Sequence, residues 1–140
     1  MAGAAETLSF VSRRLIQFEK KFANADLELR KKSAKLFLQI GSSLSLLLSE
    51  LERDHLPHEP ARELILYSTL LEELTNEPLG AEEASRLGNA MRNASDKEKL
   101  YLEYRASNQK KHLSEELEKA SILIRALANG IYMEMDSRPS

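Results

Sequence analysis

The chain has 140 residues, 42% hydrophobic and 30% charged, with a net charge of −2, which is the length of one domain and excludes a disordered composition. With no cysteine there is no disulfide frame, no thiolate nucleophile and no Cys-type zinc site. Val occurs once and Thr three times, so strand signals are missing and the fold class is all-α.

The first residues, MAGAAETLSF, lack a basic region followed by an apolar run, so no secretory leader is read there and a cytoplasmic protein is expected. From Leu8, apolar residues recur at spacings of three and four through Val11, Leu15, Phe18, Phe22, Ala25 and Leu29. The series resumes with Leu36, Ile40, Leu44, Leu47 and Leu51, as the seam of a helix does. Asn24 and Asp26 are good caps and poor interior residues, which allows a break near them. Nothing forbids helix before Pro57, and the spacing predicts one long or lightly kinked helix from about residue 5 to about residue 55, roughly 75 Å long.

Within it, residues 36–49 carry no charge, between Lys35 and Glu50. The run is shorter than the roughly 20 apolar residues of a membrane span, so protein must bury it. Phe37, Leu38 and Leu48 add apolar groups off the main seam, and Gly41 with its neighbouring serines lets helices approach closely. Phe37, Ile40, Leu44, Leu47, Leu48 and Leu51 are therefore the expected partner-binding surface, covered by a second copy in a homodimer or by another helical protein. The alternative is a monomeric bundle whose middle helices cover the same segment.

HLPHEP, residues 55–60, forces a turn, because Pro57 and Pro60 cannot continue the first helix. A helix over about 60–74 follows, with Leu64, Ile65, Leu71 and Leu74 as its core face and Tyr67 beside it. TNEPLG ends it, and a short helix over about 81–92 presents Ala84, Leu87 and Met91. Ser95 with Glu98 matches a capping box, opening a last helix over about 96–134. Its seam is Leu102, Ala106, Gln109, Leu113, Leu117, Ala120, Ile124, Leu127 and Ile131. One domain results, an elongated antiparallel helical bundle with long N- and C-terminal helices and a shorter helical middle.

Charge is uneven: residues 13–35 carry eight basic and three acidic side chains, and residues 50–83 carry ten acidic and two basic. Arg30, Lys31, Lys32 and Lys35 form the densest basic run. It is expected either to pack near the acidic middle or to meet an anionic membrane surface. Long helices with such a run resemble, in general kind, the membrane-surface scaffolds represented by BAR domains, although three full-length BAR helices need more residues. Nucleic-acid binding is not expected, since the net charge is negative and no aromatics interleave with the basic run.

Chemistry-bearing patterns are sparse. Glu52 and His55 have the spacing of carboxylate-bridged metal bundles, but no second Glu-x-x-His exists. No phosphate cradle or nucleophile triad is found, and neither a metal nor a cofactor is expected. Arg105 and His112 stand seven apart, on one face of the predicted last helix. An Arg and a His so spaced resemble the R-x(4–6)-H motif of HEPN ribonucleases, which are small and helical. The resemblance implies RNA phosphodiester cleavage, with His112 handling the proton and Arg105 stabilising phosphate charge. Ala106 departs from the polar residue that usually follows the Arg. The leading expectation is a non-enzymatic helical interaction or assembly module, an adaptor or scaffold subunit, with BAR-like and HEPN-like functions as the alternatives.

Overall fold

The computed structural model describes the backbone of residues 3–137 and the side chains of residues 3–132. Seven helices are found among the described residues, namely α1 (Ala4–Gln17), α2 (Glu19–Ala23), α3 (Leu27–Glu52), α4 (His58–Leu79), α5 (Ala81–Ala94), α6 (Lys97–Ala106) and α7 (Lys110–Ser137). The all-α bundle expected from the sequence is what forms. Its two longest helices, α3 with 26 residues and α7 with 28, run for about 39 and 42 Å.

The single helix expected over 5–55 is instead three. Phe18 leaves helical geometry (φ −102°, ψ 16°), and its N–H turns to the Leu15 carbonyl, one residue short of α-helical pairing. A second break falls at residues 24–26. There Asp26 adopts an extended backbone and its carboxylate accepts from the Leu29 N–H at 2.8 Å, starting α3 as its N-cap. Asp26→Ala is expected to cost about 1 kcal/mol and to lower the melting temperature by about 3–5 °C in a chain of this size. A thermal melt followed by circular dichroism checks this.

The helix expected over 96–134 also divides, at residues 107–109. Ser107 is extended, and its hydroxyl accepts from the Gln109 N–H at 2.9 Å. The physical reason lies in the seam: Leu102, Ala106 and Gln109 are exposed, Leu102 by 61%, while Leu100 is buried in their place. A straight helix would have carried that change of face onto α7. The N-cap also differs from the capping box read at Ser95. Asp96 accepts from the Glu98 and Lys99 N–H groups, while Ser95 closes α5 by donating to the Met91 carbonyl.

Between α4 and α5 stands a single residue, Gly80, at φ 91°. A side chain rarely adopts that conformation and glycine does so without steric cost. Pro78 lies inside the last turn of α4, so α4 outlasts the boundary expected at residue 74. Only a terminal hydrogen bond is forfeited there.

Five helices close a ring, each packing on two others in the order α1, α5, α4, α3, α7 and back to α1. Neighbours run antiparallel, except that α1 and α7 run the same way: Ser9 donates to Glu116 at 2.9 Å, and farther along Glu19 lies beside Gly130. The short helices cover the two ends. α2 contacts α1, α3, α4 and α7, and so does α6 at the opposite end. Through α2, Phe22 enters the core and meets Phe37 edge-to-face, ring centroids 5.1 Å apart. Through α6, Leu100 does the same at the other end, and Glu103 accepts from the Ala4 N–H at 2.9 Å.

The closed ring settles where residues 36–51 face. Phe37, Ile40, Leu44, Leu47, Leu48 and Leu51 all lie in the core, none more than 8% exposed. The surface assigned to a partner is thus covered by this chain's own helices. Each fully buried Leu contributes about 2 kcal/mol, which explains why the longest apolar run in the sequence was drawn inward. Close approach through small residues also occurs within the chain: Ser121 donates to the Gly41 carbonyl at 2.8 Å where α7 crosses α3.

Candidate functional site

Arg105 and His112, the pair of the HEPN-like alternative, do not share one helix. Arg105 lies in the last turn of α6 and His112 in the first turn of α7, both exposed, with the break at residues 107–109 between them. Arg105 instead donates to the Tyr101 hydroxyl at 3.1 Å and lies over that ring. One helical face carrying both groups was the geometric basis of the ribonuclease reading, and that face does not exist. His55 approaches Glu50 at 3.3 Å rather than Glu52, beyond a turn in which Asp54 takes φ 60°. Among the described residues no three His, Asp or Glu side chains gather around a common point, and no helix is long and apolar enough to cross a membrane.

The basic run divides. Arg30 is only 7% exposed, and its Nε and Nη1, with the Ser33 hydroxyl, have no hydrogen-bond partner among the described residues. It falls on the core-facing side of α3, one helical stripe with Phe37 and Leu44, so it is not part of a surface for anions. Lys31, Lys32 and Lys35 are exposed, and Lys32 pairs with Glu28 at 3.1 Å.

Beside those lysines runs an open groove of about 650 Å³ between α3 and α4. Its floor is apolar, made by Leu29 and Leu36 from α3 and by Tyr67, Leu70 and Leu74 from α4. Lys32 and Lys35 form the α3 wall, and Glu73 and Glu77 form the α4 wall. At the groove's end Ser43 donates to Glu63 at 3.1 Å, beside Tyr67. Burial pushes the Tyr67 phenol above its ordinary value, Glu63 adds to the rise, and a hydrogen bond with Ser43 opposes it.

Leu70 is 47% exposed, and Leu66, one turn earlier on α4, is 61% exposed. Apolar groups this open along one helix are costly to leave in water. Ile65, expected in the core with Leu64 and Leu71, is exposed toward α5, whereas Leu64 and Leu71 are fully buried. The groove was missed because α4 was given a single apolar face. The available signal was Leu66 and Leu70, spaced four apart and off the Leu64–Leu71 stripe.

A second cleft, of about 450 Å³, is lined by His58, Arg62, Arg92 and Lys97. Its cations already have partners: Arg62 pairs with Glu59 at 3.0 Å, Arg92 pairs with Glu72 at 3.3 Å, and Lys97 hydrogen-bonds with the His58 Nδ1 at 2.8 Å. On the groove walls, by contrast, Lys35, Glu73 and Glu77 have no ion pair or hydrogen bond among the described residues. Comparison with family models, with curated proteins and with solved structures returns no match.

Proposed function

We propose that this chain is a non-enzymatic helical protein–protein interaction module, an adaptor or scaffold subunit, and that the α3–α4 groove is its docking surface. The observation carrying this reading is exposed Leu70 on the groove floor, with Lys35 on one wall and Glu73 and Glu77 on the other, none of these three in an ion pair among the described residues. An apolar floor supplies affinity and charged rims supply orientation, which is how helix-binding grooves work. The acidic wall facing Lys32 and Lys35 also favours a protein occupant over an anionic membrane, which would be repelled by Glu73 and Glu77.

The test is a photocrosslinking side chain placed at Leu70, with the chain expressed in its source cells. Discrete protein adducts are expected at Leu70. They should disappear when Glu73→Lys and Glu77→Lys are combined with the crosslinker. The same probe at Ile122, which is 53% exposed on α7, should give none. No adducts at Leu70, or equal adducts at Ile122, would overturn the reading.

A further inference from the structure

We infer that the occupant of the groove is a second copy of this chain, related by a two-fold axis parallel to α3 and α4. The inference rests on the docking reading above and names its partner.

Register comes first. Ser43 meets Glu63, and α3 and α4 run antiparallel. Eleven residues back along α3 is Lys32, and eleven residues on along α4 is Leu74. Lys32 and Lys35 therefore stand level with Glu73 and Glu77 across the groove, on opposite walls of one apolar floor.

Two ways exist to lay one such groove face-to-face on a copy of itself by a two-fold axis in the plane of contact. With the axis across the helices, each α3 covers the other α3, so lysines meet lysines and glutamates meet glutamates where the copies overlap. Like charges so placed suppress association. With the axis along the helices, the α3 of one copy lies over the α4 of the other at the same level. Lys32 and Lys35 of each copy then face Glu73 and Glu77 of the other, twice over by symmetry. Leu70 of each copy turns from water onto the apolar floor of its mate. Charge complementarity thus selects one arrangement, a four-helix contact of two α3–α4 pairs. It engages Lys35, Glu73 and Glu77, which have no ion pair or hydrogen bond among the described residues.

Light scattering coupled to chromatography, on the purified chain from about 1 μM to about 1 mM, tests this. The mass is expected to rise with concentration toward two chains. The double variants K32E/K35E and E73K/E77K are each expected to stay at the mass of one chain throughout. These positions are exposed, and circular dichroism checks that each variant keeps its helices. An equimolar mixture of the two variants should regain the two-chain mass, because the acidic α3 wall of one then faces the basic α4 wall of the other. A native chain at single-chain mass over the whole range, or a mixture that does not reassociate, overturns the second copy as occupant. If Leu70 adducts to a different protein are found alongside single-chain mass, the docking reading stands and only the occupant changes. If neither is found, both fall.

Discussion

Leu44→Glu is expected to unfold the chain, not to separate two copies. Leu44 is 1% exposed, in the middle of α3 and inside the ring. Replacing it removes about 2–3 kcal/mol of apolar burial and brings in a carboxylate with no cation or donor prepared for it. An uncompensated buried charge costs several kcal/mol more. Native domains hold about 5–15 kcal/mol in total, so this one change consumes most or all of it. Circular dichroism should show loss of the cooperative thermal transition, together with a large fall in helical signal at 25 °C. A native-like melt with altered particle mass would instead mean that Leu44 lies on a surface. That was the sequence-based expectation which the closed ring replaces.

The second large effect is expected at the crossing of α3 and α7. A side chain on Gly41 would run into the Arg125 Cγ and, at 3.2 Å, the Ile124 Cγ2. Gly41→Val therefore forces the helices apart at a point where Ser121 reaches the Gly41 carbonyl at 2.8 Å. Ordinarily a side chain in place of Gly inside a helix gains a few tenths of a kcal/mol or more. Here overpacking of a well-filled core, about 1–3 kcal/mol, together with the strained buried hydrogen bond, about 1 kcal/mol, outweighs that gain. A net loss of about 2–3 kcal/mol corresponds to a melting temperature lower by about 6–12 °C. An unchanged or raised melting temperature would show that α3 and α7 do not cross so closely.

What the sequence disclosed and what it withheld follow from one physical distinction. Periodicity records which residues of a helix are apolar. It does not record what covers them. The seams through Leu8, Val11 and Leu15, through Ile40, Leu44 and Leu47, and through Leu117, Ala120 and Ile124 are all buried. Helix identity and inward face were therefore legible at each of these. Both breaks in the predicted rods were harder to read. Asp26 was recognisable as a cap, but Phe18 is a residue that helices tolerate, and the turn there is followed by Phe22 packing edge-to-face on Phe37. The break at residues 107–109 was signalled by Ala106 and Gln109, weak members of a seam whose true member on α6 is Leu100.

The exposure expected for Phe37, Ile40, Leu44, Leu47, Leu48 and Leu51 failed for the same reason. The longest apolar run was read as the stickiest surface, yet in a chain that closes on itself such a run is the first to be covered. What stays open lies where a helix has more apolar residues than its neighbours can cover, and on α4 these are Leu66 and Leu70. Lys32 and Lys35 belonged to the basic run noted in the sequence. Their facing partners across the groove, Glu73 and Glu77, lie far off in the chain and become neighbours only through the fold.

A self-contained ring with an open groove between α3 and α4 is tested most directly by thiol labelling, because the chain has no cysteine of its own. Leu47→Cys places one thiol in the core, and Leu70→Cys places one in the groove. In dilute native solution the groove thiol should react nearly as fast as in denaturant, while the core thiol should react more slowly by at least about two orders of magnitude, limited by opening of the fold. Comparable rates at the two positions would contradict the burial of Phe37, Ile40, Leu44, Leu47, Leu48 and Leu51 within a single chain.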